Sequence, residues 1–357
     1  AAAWVGSLPL MGIYFAVITP VAVVASMVLV PLVFLVLAVA LAAVVVGLVS
    51  DPAAMAMNRG NAALVGLGRG MAEGFARLPG AQFNVQRKAW GEGGLVVFSL
   101  PAGGGASYLE AGGGVMIDAG SERAYFQSIR PTLRERARWP DSLVVTHPDG
   151  AHVGGALPLV SEGPVRQALL PTAWARSPAY RAFLDTAPAR DCRLLLGRPG
   201  DLHRIDGHTA LEVLGAPGRG EDRRADDRGQ VLRLHWHGWR VLFTGDAGFE
   251  TEKSLLASGT DVAADVWIRG LHGSDLSGTA AFVQAVAPRF ILVHDDEPAP
   301  GHGLSRDWVT AVESEGIVVW RSTRTGAVAV SPGVDELTLR PFLEPERVLT
   351  LSRDGSP

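Results

Sequence analysis

The first fifty residues hold no Asp, Glu, Lys, Arg or His, so all 32 basic and 36 acidic residues of the 357-residue chain lie beyond them. That absence excludes an ordinary water-facing start. Cysteine is almost missing too. The single Cys192 excludes a disulfide framework and any cysteine-rich zinc module, and its apolar surroundings read as core. Excess positive charge is also absent. A formal net charge of −4 and a pI near 6.2 argue against gripping nucleic acid by bulk charge, although a local basic patch stays open. The 43 glycines follow no Gly-X-Y period, which excludes a collagen-like rod. There is no Gly-x-x-x-x-Gly-Lys loop, no Gly-x-Ser-x-Gly elbow and no Rossmann glycine triplet between a strand and a helix.

What is present first is an apolar run over residues 8–49, broken only by residues such as Thr19, Pro20, Ser26 and Pro31. One membrane span needs about 20 apolar residues. The run therefore suits two short spans broken at Pro20 or Pro31, or one span near 31–49 after a re-entrant piece. It is too long for a signal peptide and lacks the basic lead. Residues 1–50 read as a transmembrane segment. The chain opens on Ala1, which reads as the tail of a longer bundle.

Residues 51–88 read as a juxtamembrane helix and linker. Leu64, Leu67, Met71, Phe75 and Leu78 form a helical apolar stripe. Arg69, Glu73 and Arg77 stand at i, i+4 spacing. Gly66, Gly70 and Gly74 are spaced to admit another helix. From residue 89 short apolar strands alternate with helices, beginning at 95–98, 107–110, 115–118 and 142–146, with a charged surface helix over 122–138 between the third and fourth. This pattern predicts an α/β layered domain over 89–332 and a C-terminal tail over 333–357.

Histidines beside Gly, Asp or Pro carry the chemistry. Thr146-His147-Pro148-Asp149-Gly150-Ala151-His152-Val153-Gly154-Gly155 follows a buried strand, so His147, Asp149 and His152 can converge from one tight loop. Imidazole with carboxylate suits zinc, manganese or iron. An apolar strand ends at Thr244-Gly245-Asp246, where the carboxylate could instead cap the helix near Phe249. Leu271-His272-Gly273-Ser274 and Gly301-His302 follow. His235 and His237 stand at strand-chelate spacing, yet with Arg233 they alternate with Leu232, Leu234 and Trp236 and read as a solvated face.

In this order the motifs resemble the metallo-β-lactamase fold, and specifically the C-terminal part of the ComEC family of competence DNA-uptake proteins. Members show a Thr/Ser-His-Pro-Asp-x-Asp-His-x-Gly-Gly loop, a Leu-x-Gly-Asp strand end, a His-His-Gly-Ser loop, a Gly-His-Pro segment and a closing Thr-x-x-x-Gly turn. The counterparts are His147 to Gly155, Thr244 to Asp246, Leu271 to Ser274, Gly301-His302 and Thr323 to Gly326. The resemblance implies an αβ/βα sandwich behind a transmembrane segment, at the bacterial inner membrane, with DNA and other parts of a channel or competence machinery as partners. It also implies His147 and Asp149 at one metal, His152 and His272 at a second, Asp246 between them, His302 as a further donor, and a nucleophilic water near Asp149 and Asp246. The side of the membrane is left open.

Four departures cut against a working site. Ala151 replaces a carboxylate, Leu271 replaces the first of two paired histidines, Leu100-Pro101-Ala102-Gly103-Gly104-Gly105 lacks the family's opening carboxylates, and Asp226-Asp227-Arg228-Gly229 replaces an Asn-Asp-x-Ser. What remains provides donors for one divalent ion (zinc or manganese) or for none. The expectation is a metallo-β-lactamase-like domain with impaired or no hydrolase activity. The alternatives are an active DNA phosphodiesterase and a single-metal hydrolase of another substrate.

Overall fold

A computed structural model describes residues 17–18, 21–76, 78, 83–84, 94–100, 104–136, 138–172, 176–216, 229–270, 277–295 and 304–353. The chain divides into two compact units, residues 1–88 and 89–357.

The first unit is built on α1 (Val21–Gly47), a helix of 27 residues with almost no polar side chain. At roughly 1.5 Å per residue it is about 40 Å long, enough to cross a bilayer. Among the described residues it is the one helix long and apolar enough to do so. It runs through Pro31 without ending, a residue that membrane helices tolerate. Val17–Ile18 (β1) pairs with Phe83–Asn84 (β2). In α2 (Asp51–Ala76) the shielded positions are Ala54, Met57, Asn61, Leu64, Gly68, Met71 and Phe75, steps of three and four that keep one face on α1. The predicted stripe shares Leu64, Met71 and Phe75 with it, whereas Leu67 and Leu78 are exposed. Gly68, and not the Gly66, Gly70 and Gly74 series, makes the close approach. A Cβ at Gly68 would lie 3.2 Å from Leu32, and the other three face open space. Arg69 pairs with Glu73 at 3.0 Å.

The second unit is a sandwich of two mixed sheets. One sheet has nine strands in the order β18-β17-β16-β3-β4-β5-β6-β7-β8. These are β3 (Leu95–Val97), β4 (Ala106–Leu109), β5 (Val115–Ala119), β6 (Ser142–Val144), β7 (Gln167–Leu170), β8 (Arg193–Leu196), β16 (Val328–Pro332), β17 (Glu336–Pro341) and β18 (Leu349–Ser352). The other has seven strands, β15-β14-β13-β12-β11-β10-β9. They are β9 (Leu202–Arg204), β10 (Thr209–Gly215), β11 (Val231–Trp236), β12 (Trp239–Gly245), β13 (Val266–Arg269), β14 (Phe290–Val293) and β15 (Val318–Arg321). Strands β5 to β8 are mutually parallel, as are β12 to β15.

Alternation along each strand divides the core. Leu95, Val97, Ile117 and Val144 point inward to meet Leu211, Leu234, Val241 and Ile268 between the sheets. The intervening Val96, Met116 and Leu143 point outward to a helical layer. That layer comprises α3 (Glu122–Ala124), a π-helical turn (Tyr125–Ile129), α4 (Arg130–Glu135), α5 (Gly150–Val153), α6 (Ala156–Glu162) and α7 (Pro178–Thr186). Leu242, Trp267 and Ile291 do the same on the second sheet, under α8 (Phe249–Ala257), α9 (Ala280–Val286) and α10 (Arg306–Ser314). Strands β5, β13 and β14 are buried at every position, which is why they are mainly apolar.

Two readings need correction. The segment expected as a tail after residue 332 supplies β17 and β18, and its Leu337, Leu339 and Leu351 sit in the inter-sheet core. The helix expected over 122–138 is interrupted, because Tyr125–Ile129 widens into a π turn.

Candidate metal centre

Carboxyl ends of parallel strands are where α/β sheets leave room for ligands. Here those ends from both sheets meet. Strand β6 leads into the loop carrying His147, Asp149 and His152, and β12 ends at Asp246. One ligand atom from each of the four residues lies within 4.8 Å of all the others.

Asp149 organises the loop. It is the N-cap of α5, its Oδ1 accepting from the backbone N–H groups of Ala151 and His152, both at 3.0 Å. The same Oδ1 lies 2.8 Å from His152 Nδ1, and Oδ2 lies 3.3 Å from His147 Nδ1. One carboxylate thus starts a helix and orients two imidazoles, the carboxylate–histidine arrangement that supports metal ligands.

Asp118, at the end of β5, holds the loop from behind. Its two oxygens accept from Thr146 N at 2.6 Å and Thr146 Oγ1 at 2.5 Å. Asp246 lies opposite, its Oδ1 3.6 Å from His152 Nε2. That separation is too long for a hydrogen bond. It matches two ligands about 2.1 Å from one ion, which stand roughly 3.4 Å apart at a tetrahedral angle. Asp246 Oδ1 is buried without a hydrogen-bond partner. Helix α8 is capped at Gly248 with no side-chain bond, so capping does not occupy this carboxylate.

Charge follows geometry. Burial alone would push the His152 pKa down, but Asp246, Asp149 and Asp118 together carry it up to about 10. His147 is also raised, burial being outweighed by Asp149 and Asp246. Burial would raise Asp149, yet the two histidines hold it well below the usual carboxylate range. Asp118 is pushed up to about 6 by burial against the pull of His152 and Thr146.

Backbone approaches the site closely at two glycines. A Cβ at Gly105 would stand 3.0 Å from the His152 ring, and one at Gly270 would stand 2.5 Å from Asp246 Oδ1.

Of the residues predicted for the site, His147, Asp149, His152 and Asp246 come together. His272 and His302 lie outside the described residues, as do Leu271 and the 226–228 departure. Thr323, in the closing turn, donates its N–H and Oγ1–H to Asp295 Oδ1, both at 2.9 Å. The structure adds two residues that the sequence reading passed over. One is Asp118. The other is His294, which follows β14, is buried with no hydrogen-bond partner on Nδ1, and lines one small cavity with Asp118, Thr146, His152, Gly245 and Gly270. Burial, helped by His152, pushes His294 down to about 4. Both follow the pattern that singled out Asp246, a polar residue ending an apolar strand. His235 is not a chelate partner of His237, because its Nε2 lies 2.8 Å from Glu212 while His237 turns back to stack on His208 at 5.3 Å. Arg233 is buried, and not solvated, on Glu212 and Asp261.

The family description Metallo-beta-lactamase superfamily matches residues 100–294, more than half of the chain and all four clustered residues. The chain belongs to the metallo-β-lactamase superfamily. A second description, Competence protein, matches residues 1–107, so a competence-protein segment runs directly into the metallo-β-lactamase domain, as in ComEC-like proteins. ComE operon protein 3 of Bacillus subtilis (strain 168) is 23% identical over 188 residues, covering 53% of this chain and 24% of that protein. Competence protein ComA of Neisseria gonorrhoeae is 27% identical over 240 residues, covering 65% of this chain and 31% of that one. The chain therefore spans under a third of either relative. Among solved structures, the metallo-beta-lactamase fold protein YhfI of Bacillus subtilis is 13% identical with a TM-score of 0.41, covering 64% of this chain and 95% of its own. Zn(2+)-bound PqqB of Methylobacterium extorquens is 13% identical with a TM-score of 0.42, covering 64% and 97%.

Proposed function

We propose that the chain is the C-terminal region of a DNA-uptake protein of the bacterial inner membrane, whose metallo-β-lactamase domain holds one divalent ion and hydrolyses DNA poorly or not at all. The observation that carries this reading is Ala151. It occupies the first turn of α5 beside His152, where the family's loop has a carboxylate, and a methyl group neither binds a cation nor takes a proton from water.

The donors present suit zinc or manganese. His152 would offer Nε2 while Asp149 holds its Nδ1, and Asp246 would offer the buried Oδ1 that has no other partner. His147 adds a third donor, with His272 and His302 further ones by resemblance. Asp149 spends its oxygens on two imidazoles and two backbone N–H groups, so we assign it an orienting part. An ion bound there would polarise a phosphodiester and lower the pKa of a water. Beyond it, a water near Asp149 and Asp246 meets no carboxylate at position 151. DNA and the remaining channel proteins are the partners this reading implies.

The preserved four-residue cluster favours the competing reading of an active DNA phosphodiesterase. Metal content of purified residues 89–357 separates the two. One ion per chain is expected, and two ions with steady DNA cleavage would overturn the proposal.

A further inference from the structure

Charge is divided between the two helical layers. Residues 121–200, which carry the layer over the nine-stranded sheet, contain eleven basic and seven acidic residues. Residues 249–315, which carry the other layer, contain four basic and eleven acidic residues. Every basic residue of the first layer is arginine, the side chain whose planar fork matches a phosphate group bidentately.

Position matters more than number. Arg166 immediately precedes β7, Arg193 opens β8, and the two are joined by a 2.8 Å bond from Arg193 N to Arg166 O. Arg190 ends the turn before β8, and Arg181 lies on α7. All four side chains are exposed, and none forms an ion pair among the described residues. Since β6, β7 and β8 are parallel, Arg166 and Arg193 mark the end of the sandwich opposite His147 and Asp246. On the same layer Phe126 is 42% exposed, with the Arg130 guanidinium 5.4 Å from its ring centre.

We infer that this arginine-bearing layer is a docking surface for the anionic phospholipid headgroups of a bilayer. Two observations accord with lipid and a third selects it over nucleic acid. Phe126, an exposed aromatic ring with the Arg130 guanidinium beside it, suits the boundary between headgroups and acyl chains. The acidic second layer is repelled by the same surface and so fixes one orientation. The domain also follows a membrane-spanning helix in the chain, so a weak surface affinity acts at high effective concentration.

The domain can be tested by itself, because all three of its core clusters are drawn from residues 95–351 and none uses residues 1–88. Residues 89–357 are sedimented with vesicles of phosphatidylglycerol and phosphatidylcholine, or of phosphatidylcholine alone. Binding to the anionic vesicles only, weakened by salt and lowered at least tenfold in an Arg166→Glu, Arg181→Glu, Arg190→Glu, Arg193→Glu variant, is the expected result. Circular dichroism checks the variant's fold, and Gln at the same positions serves if it fails. Equal binding to neutral vesicles, no binding to anionic ones, or an unchanged variant would overturn the inference. So would a single-stranded oligonucleotide that binds the same arginines while vesicles do not.

Discussion

The two sheets bring opposite things to the candidate metal centre. On the first-sheet side the chain satisfies itself. Asp118 spends both oxygens on Thr146, and Asp149 spends both on His147 and His152. On the second-sheet side Asp246 Oδ1 and His294 Nδ1 are buried with no hydrogen-bond partner, a condition that destabilises the fold. One half of the site keeps its shape by its own hydrogen bonds, and in the other half Asp246 Oδ1 has its 3.6 Å ion pair with His152 and no hydrogen bond.

The largest expected effect tests that contrast on its unsatisfied side. Asp246→Ala should weaken metal binding by more than about a hundredfold, above the range for supporting residues. Melting of the metal-free protein at neutral pH should fall, because Asp246 is the foremost of the carboxylates that hold the buried His152 imidazolium. A loss that persists above about pH 10, where His152 is neutral, would show that Asp246 has another partner and would break the comparison.

Protonation gives the next effect. In the folded, metal-free protein the His152 pKa lies near 10, above its ordinary 6.5. Its protonation therefore stabilises the apo fold fully below pH 6.5, and that contribution fades as pH rises through about 10. A metal must displace the proton. Metal affinity should thus rise about tenfold per pH unit between these limits, as read by competition with a chelator of known proton affinity. A flat profile would place the proton elsewhere.

Asp149→Ala strikes the satisfied side. It removes an N-cap worth about 1–2 kcal/mol and frees both imidazoles, so metal-free stability should fall at every pH, whereas the loss in Asp246→Ala fades as His152 deprotonates. Metal affinity should fall about 10–100-fold. Thermal melts of the two variants measured together decide whether the sides differ in kind. Ala151→Asp, alone or with Leu271→His, should give the smallest change, metal binding about tenfold tighter, within the range reported for single supporting groups.

Much of this was legible in the sequence where pattern and chemistry coincide. His147, Asp149, His152 and Asp246 stand out because each follows an apolar strand in a glycine-rich turn. The α/β layering follows from the alternation of strands and helices, and the sandwich from the family resemblance. Asp118 was hidden because a carboxylate at a strand end reads equally well as the start of a turn, and only the fold brings it to Thr146, 28 residues away in sequence. His294 was hidden because its relevance depends on β14 lying beside β13 in register. Strands β17 and β18 were missed since Gly333, Pro341 and Pro345 punctuate them like a tail, while their pairing partners come from distant β16. Such long-range pairings are not written in local propensity.

The central claim is a metal centre that binds but scarcely cleaves. Its most direct test is metal-dependent turnover of a DNA substrate by the wild type and by Asp246→Ala, side by side with manganese and with zinc. The account predicts marginal cleavage by the wild type, barely distinguishable from the variant, although only the wild type retains its metal. Vigorous cleavage by the wild type that Asp246→Ala abolishes would contradict it.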